Sequence, residues 1–392
     1  MVKQAVVLAA GEGERLRPLT AYKPKVMIPV GNKPILQYVI EALVESGIRE
    51  IILVVGYRKE AVMRFFEDGR ELGARIEYVF QSAQLGTGHA LKQAEGKTDG
   101  TFLVLSGDNI IAKETLSPVL DMKQPSVLAK EGEEAGKYGV LITRDDELVE
   151  IVEKPTQPPS FLLNTGIYIL PQAIFEYLRE ELDLPKAISS MVSDGVKVKV
   201  RITDGVWLDA LYPWDLLKLN SFVLRRTSPS ISGRVEKGVV IKGDVIIGEG
   251  TRIRSNSYIA GPVVIGRNCE IGPNVCIFPS TSIGDGSRIF PFSEIRNSIL
   301  GEGVTIWTGS LITSSIIDNF SSLGARASLT EDEVVVRVNG EERRVRMGII
   351  VGEGCKIGEN VVIRAGVRVG NRVRVRGLKV IDENIPDNTL VL

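Results

Sequence analysis

The sequence predicts a chain of two textures: an α/β domain built on a doubly wound, mostly parallel sheet, followed by a parallel β-helix. Two observations carry this. In the first part, short apolar runs of strand character alternate with amphipathic helical runs, as in a doubly wound sheet. From Val235 an aliphatic residue recurs at every sixth position, and a hexapeptide period marks a β-helix. The textures meet near residue 230, where Ser228-Pro229-Ser230 interrupts the pattern.

Taken in order, Gln4–Ala9 reads as a buried strand, 34–46 as an amphipathic helix, Glu50–Val55 as a strand and Lys59–Phe66 as a helix. Residues 76–80 form a strand, 87–94 a helix, 102–105 a strand and 213–226 a closing helix. The hexapeptide series runs from Val235 through Ile241 and Ile247 to Ile295. It slips at Leu300, Ile306 and Ile312, and again at Ile317, Leu323 and Leu329, then resumes at Val351. Four residues after each aliphatic stands a small or β-branched side chain, as at Thr251, Ser257, Cys269 and Ser287. Each six-residue unit makes one flat side of a triangular coil, with the aliphatics stacked inside. Cys269 and Cys355 fall on the small inward position and read as core packing. Between Leu329 and Val351 the period is lost, and 334–338, Asn339-Gly340 and Glu341–Met347 read as a hairpin extruded from the coil.

Composition bounds the function. The 392 residues exceed one ordinary domain, and an apolar fraction of 44% supports sizeable cores. A net charge of −1 leaves no global field for nucleic acid or an acidic membrane. The apolar run at residues 5–10 is too short for a signal sequence. No segment approaches the roughly 18 apolar residues of a spanning helix. Three cysteines, an odd number, do not form a disulfide framework. A cytoplasmic protein without nucleic-acid or membrane partners is expected. The single histidine, His89, excludes a His-rich zinc site and any mechanism needing two histidines.

The chemistry-bearing residues lie where strands end. Leu8, Ala9 and Ala10 lead into Gly11-Glu12-Gly13, followed by Arg15 and by Lys23-Pro24-Lys25. Such a turn brings backbone N–H groups and fixed cations toward a triphosphate. It lacks the third glycine of a dinucleotide fingerprint, since position 16 is Leu, and the Gly-Lys-Ser/Thr ending of a P-loop. Taken alone, Lys25 reads equally as a solvated surface lysine. Asp108, in Ser106-Gly107-Asp108-Asn109 after a buried strand, suits Mg²⁺, a cation of hard oxygen ligands. It reads equally as a turn former. Asp209, in Trp207-Leu208-Asp209, could complete a two-carboxylate site, though spacing alone does not pair them.

Together these residues carry a resemblance. Residues 8–15 with Pro18-Leu19-Thr20 and Lys23-Pro24-Lys25 resemble the signature of the sugar-1-phosphate nucleotidyltransferases. Residues 81–90, from Gln81 through Gly86-Thr87-Gly88-His89, are similar to the base-binding segment of the N-acetylglucosamine-1-phosphate uridyltransferase branch. Gly107-Asp108, Tyr138-Gly139, Glu153-Lys154-Pro155, Asn164-Thr165-Gly166 and Trp207-Leu208-Asp209 follow in family order. The resemblance implies an α/β Rossmann-like nucleotidyltransferase domain over residues 1–226 and a left-handed parallel β-helix over 227–392. It implies attack of a sugar-1-phosphate oxygen on the α-phosphorus of UTP or dTTP, with release of pyrophosphate. Catalysis would then be positioning and charge stabilisation.

By the same resemblance, Leu8, Ala10, Gly11 and Gly13 line the nucleotide, and Gln81, Gly86 and Thr87 meet the pyrimidine. Arg15 and Lys25 offset charge on the phosphates. Asp108 and Asp209 hold Mg²⁺. Gly139, Glu153, Asn164 and Thr165 hold the sugar hydroxyls, and Lys154 grips the sugar phosphate. His89 reads as structural, since the reaction does not require it.

In bifunctional relatives the β-helix is an acetyltransferase that uses a histidine base and assembles, most often as a trimer. No histidine follows residue 89 here. Thr308 stands near the place of that base, and threonine cannot act as a general base near neutral pH. Arg326 adds a bulky cation where an amino-sugar pocket would need space. The expectation is a β-helix without acetyltransferase activity that serves a homo-oligomer. Three alternatives are a mannose-1-phosphate guanylyltransferase, a non-catalytic regulatory subunit of the same layout, and a CoA-dependent acyltransferase with a degenerate first domain. A regulatory subunit would be expected to lose Arg15, Lys25 or Asp108, and all three are present.

Overall fold

The computed structural model describes residues 2–132, 135–338 and 341–392. Its backbone groups into two compact units. The first comprises Met1–Glu12, Lys23–Met27 and Pro34–Asp209. The second comprises Gly13–Tyr22, Ile28–Lys33 and Ala210–Leu392.

The first unit is built on a nine-stranded sheet. In chain order its strands are β1 (Gln4–Ala9), β2 (Glu50–Val55), β3 (Arg75–Phe80), β4 (Thr101–Ser106), β5 (Ser126–Glu131), β6 (Val140–Arg144), β7 (Glu147–Val152), β8 (Leu162–Pro171) and β9 (Lys199–Ile202). Their spatial order is β3-β2-β1-β4-β8-β5-β9-β7-β6. The β3, β2, β1 and β4 strands are parallel, and the apolar runs of β2, β1 and β4 are buried on both faces, with Val6, Val7, Leu53, Val54 and Val104 fully enclosed. Helices Ile35–Glu45 and Lys59–Phe66 form as the sequence predicts, each burying one stripe. Helix Thr87–Lys92 stops two residues earlier than expected.

The expectation of a mostly parallel sheet needs correction. Strand β8 runs antiparallel to β4 and β5, and β7 antiparallel to β6 and β9. The reason is local. Asp145 and Asp146 both adopt positive φ, 50° and 62°, and make a two-residue hairpin between β6 and β7 in place of a crossover helix. With β9 parallel to β5, the sheet as a whole is mixed.

The second unit is a left-handed parallel β-helix with three faces, carried by stacked sheets of eight, nine and eight short strands. One row pairs Ile253 with Ile271, Ile289, Ile306, Leu323, Ile357 and Val375 in turn. These side chains and their equivalents on the other faces form one continuous core. Val235 is 37% exposed, because the first coil has no coil beneath it.

The small inward residues carry the ladder around the corners. Thr251 donates its hydroxyl to the Gly266 carbonyl at 2.6 Å and accepts from Cys269 N–H, 18 residues on, at 2.9 Å. Ser287 repeats this with Gly301 and Val304, where the coil length falls to 17. That shortening is the slip in the hexapeptide series. Cys269 and Cys355 occupy the same row and donate to Gly284 and Gly370 carbonyls, and burial pushes the Cys355 thiol up to about 11. From Ser321 to Cys355 the step is 34 residues, because the antiparallel pair Asp332–Val338 and Glu341–Met347 interrupts the coil. The expected Asn339-Gly340 turn lies outside the described residues.

The segment Gly13–Tyr22 groups with the β-helix. Asn371, wholly enclosed, donates to the Pro18 carbonyl at 3.2 Å, and the Arg372 guanidinium lies 4.9 Å from the Tyr22 ring centre. Helix Asp215–Leu224 also belongs here. Its buried Asn220 donates to Ser280 O and accepts from Ser282 Oγ and Gly31 N–H.

Candidate active site

The parallel strands end level with one another. Leu8 pairs with both Val54 and Ser106, and Val55 pairs with Ala9 and Phe80. Ala10, Gly56, Gln81 and Gly107 therefore leave the sheet along one edge, where ligands of such sheets bind. Close approach ties these exits together. Tyr57 N–H donates to Ala10 O at 3.1 Å and Gly107 N–H to Leu8 O at 2.8 Å. Gln84 Nε2 donates to Ala10 O at 3.2 Å. A side chain on Gly56 would sit 3.0 Å from Ala10 Cβ and from the Gln81 carbonyl. The sequence reading missed Gly56, whose signal is its place directly after the buried strand β2.

Gly11 has no heavy atom near the site of a would-be Cβ, so its backbone is open to a ligand. Gly13 has φ 78°, a conformation glycine adopts at little cost, and caps the short 3-10 helix Glu14–Leu16. That helix, with its exposed Arg15, lies in the second unit.

Lys25, Asp108 and Asp209 meet, although 83 and 184 residues separate them. The antiparallel ribbon of Asn109–Ile111 and Trp207–Asp209 pairs Asn109 with Asp209, which sets the two carboxylates side by side. The Lys25 ammonium donates to Asp108 Oδ2 at 2.7 Å and Asp209 Oδ1 at 2.6 Å. Ser106 Oγ donates to the other Asp108 oxygen at 2.5 Å, a contact the sequence reading did not foresee. Burial alone would lower the Lys25 pKa, but the two carboxylates outweigh it and hold the ammonium charged well above the usual lysine range. Burial alone would raise the Asp108 pKa, and Lys25 outweighs it, so the carboxyl is held below its ordinary value.

These two carboxylates fit a divalent cation. The Lys25 ammonium lies within 2.7 Å of both, so oxygens of the two carboxylates converge on one point of positive charge. Among the described residues no cluster of three or more His, Cys, Asp or Glu could hold a metal. A pair of carboxylates completed by substrate oxygens is how Mg²⁺ commonly binds.

Gly139, Glu153, Lys154, Asn164 and Thr165 gather around the start of β6 and the bulge in β8. Asn164 N–H donates to Gly139 O at 2.8 Å, and Lys154 N–H to Tyr138 O at 3.2 Å. A Cβ on Gly139 would lie 2.6 Å from Glu153 Oε1. Lys154 has φ 44°, a strained choice for a non-glycine residue. Burial, then nearby Asp183, raises the Glu153 pKa, and Lys154 partly offsets this. Asn164 is pinned by Tyr168 Oη at 2.7 Å. The Thr165 hydroxyl is committed to the Leu128 carbonyl at 2.6 Å, so its part is to shape the backbone. Its own carbonyl accepts from Trp207 Nε1 at 3.1 Å.

In the base segment, Gly86 and Gly88 pack against the Leu182 backbone, where a Cβ would stand 2.5 and 2.8 Å from its carbonyl oxygen. His89 N–H donates to that same carbonyl at 3.0 Å. The Thr87 hydroxyl accepts from Leu184 N–H at 3.1 Å. The Gln81 side chain spans Gly86 and His89.

Comparison with known proteins shows the family to which the chain belongs. The Nucleotidyl transferase family profile matches residues 4–226, and that of the GMPPB C-terminal domain matches 256–351. The chain is 37% identical to the bifunctional protein GlmU of Methanocaldococcus jannaschii, over 99% of this chain and 97% of that one. It is 35% identical to a bifunctional sugar-1-phosphate nucleotidylyltransferase/acetyltransferase of Sulfurisphaera tokodaii, over 97% and 98%. It is 36% identical to a glucose-1-phosphate thymidylyltransferase of Streptomyces antibioticus, over 80% and 92%. A crystal structure of a putative glucose-1-phosphate thymidylyltransferase from Bacillus anthracis superposes with TM-score 0.53 at 26% identity, covering 58% of this chain and 97% of that one. With a matching profile over the first part and relatives matched end to end, the chain belongs to the sugar-1-phosphate nucleotidyltransferases that carry a C-terminal left-handed β-helix.

Proposed function

We propose that the protein joins glucose-1-phosphate or N-acetylglucosamine-1-phosphate to UTP or dTTP, releasing pyrophosphate. The observation that carries this is the meeting of Lys25 with Asp108 and Asp209 at the carboxyl edge of the parallel strands. A phosphate oxygen of the sugar phosphate forms a bond to the α-phosphorus, and the bond from that phosphorus to the pyrophosphate oxygen breaks. The nucleophile is already ionised, so no general base is needed.

Backbone N–H groups of Ala10, Gly11 and Gly13 bind the phosphates, beside Leu8. Lys25, kept charged by its partners, and Arg15 offset charge on the α-phosphate and the leaving pyrophosphate. Asp108 and Asp209 would hold Mg²⁺, which supplies charge neutralisation to the phosphates when bound. Gln81, Gly86 and Thr87 meet the base. Gly139, Glu153, Asn164 and the Thr165 backbone orient the sugar, with Lys154 on its phosphate. Incubation with Mg²⁺, each sugar phosphate and a panel of UTP, dTTP, GTP, CTP and ATP, followed by mass spectrometry of the product, tests this. UDP- or dTDP-sugar is expected, and a GDP-sugar would favour the guanylyltransferase reading.

The β-helix is proposed to assemble copies of the chain, as a trimer, and to lack acetyltransferase activity. Thr308 and Arg326 occupy adjoining coils, with Arg326 N–H donating to Thr308 O at 2.9 Å, and both side chains are exposed. No histidine occurs in the β-helix sequence. Transfer of acetyl from acetyl-CoA to glucosamine-1-phosphate would contradict the second point, and a monomer in sedimentation the first.

A further inference from the structure

The Gln81 amide nitrogen lies 3.1 Å from the Gly86 carbonyl and 3.0 Å from His89 Nδ1. The Gly86 carbonyl can only accept, so the Gln81 atom facing it must be the NH₂ group. That group has two hydrogens. One serves Gly86, and the other needs an acceptor, which makes His89 Nδ1 the unprotonated nitrogen and puts the ring proton on Nε2. On the far side, Gln93 Nε2 donates one hydrogen to His89 O at 3.0 Å, and its 3.5 Å separation from His89 Nε2 makes a weaker contact than the 3.0 Å one at Nδ1, so the Gln81 bond sets the tautomer. The Gln81 Oε1 is left without a partner among the described residues. Gln81 is 7% exposed and directly follows β3 at the carboxyl edge of the parallel strands.

We propose that His89, as the Nε2–H tautomer, is a positioning residue that locks the Gln81 amide and so selects nucleobases offering an N–H donor at the edge Gln81 reads. Uracil and thymine offer N3–H, and guanine N1–H. Cytosine N3 and adenine N1 offer a lone pair, which would face the Gln81 lone pairs. An amide turned over would set two carbonyl oxygens against each other at Gly86, so the two fixed acceptors enforce one orientation. This selection rests on the nucleotidyltransferase reading of the site, whereas the hydrogen bonds behind it do not.

Two experiments on the full chain separate these layers. His89 is the only histidine, so the ¹⁵N spectrum holds a single imidazole. A pyridine-type Nδ1 and pyrrole-type Nε2 are expected, and a pyrrole-type Nδ1 would overturn the proposal. Second, His89→Leu removes the acceptor, while His89→Asn returns an oxygen near the place of Nδ1. His89→Leu should raise the KM for UTP, leave kcat nearly unchanged, and lower the UTP-over-CTP preference roughly tenfold, the worth of one such hydrogen bond. His89→Asn should restore most of that preference. Loss of kcat with the preference intact, or no difference between the Leu and Asn variants, would overturn it. Should the wild type turn over no nucleotide, the functional reading fails, and the imidazole spectrum alone decides the His89–Gln81 bond.

Discussion

Replacing Lys25 with Met removes the ammonium that bridges Asp108 and Asp209, while keeping a similar side-chain volume. In the wild type Lys25 and Asp209 are 12% and 11% exposed, and Asp108 29%. Breaking a buried pair from one side costs about 3–5 kcal/mol. Asp108 keeps part of its surface in water, so about 3 kcal/mol is expected near neutral pH. For a unit of 150–250 residues that corresponds to a Tm lower by about 6–12 °C.

The sign with pH distinguishes this from ordinary packing loss. In the wild type the Asp108 pKa is depressed. Its contribution is present above the unfolded value of about 3.9 and is lost as pH falls through the lower folded value. In Lys25→Met, burial and the facing carboxylate both push the folded pKa up. The variant then keeps its stability below the unfolded value and loses it as pH rises through the folded one. Calorimetry from pH 3.5 to 8 should show the gap between the proteins widening with pH. Millimolar Mg²⁺ should raise the Tm of the variant more than that of the wild type, because both carboxylates are released from the ammonium. A gap that is constant with pH, or widest in acid, would refute the reasoning.

Three further substitutions probe other parts of the structure. Gly139→Ala would place a methyl group 2.6 Å from Glu153 Oε1 and push that carboxylate away, so the KM for sugar phosphate should rise about tenfold with the KM for nucleotide unchanged, as steady-state kinetics would show. Thr251→Val strips the corner hydrogen bonds to Gly266 and Cys269 and should cost about 1–3 kcal/mol in denaturant unfolding of the β-helix, without changing kcat. Asn371→Leu removes the donor to Pro18 O and the acceptor for Glu353 N–H, at 3.2 and 2.8 Å. It should cost about 2 kcal/mol and increase proteolysis within residues 13–22.

The β-helix was readable from the sequence almost residue by residue, because every inward aliphatic from Ile247 onward repeats one local environment. The slips at Leu300 and Ile317 were readable too, since a shortened coil shifts the period itself. The parallel half of the first sheet followed from buried runs such as Gln4–Ala9 and Glu50–Val55. The hairpin at Asp145-Asp146 was not legible, because it depends on two aspartates adopting positive φ where no glycine signals it. The site residues were named from the resemblance, but the pairing of Lys25 with two carboxylates so distant in sequence is tertiary. Spacing could not show it. Nor could it show that Asn371 meets Pro18, 353 residues away, or that His89 faces Gln81.

The central claim is nucleotidyl transfer at a centre built from Lys25, Asp108 and Asp209. Its most direct test is the initial rate of pyrophosphate release with Mg²⁺, UTP or dTTP, and glucose-1-phosphate or N-acetylglucosamine-1-phosphate, for wild type and Asp108→Asn at equal folded concentration. The account predicts release that requires both substrates and that slows by ~10²-fold or more in the variant. Release that proceeds without sugar phosphate, or that is unchanged in Asp108→Asn, would contradict it.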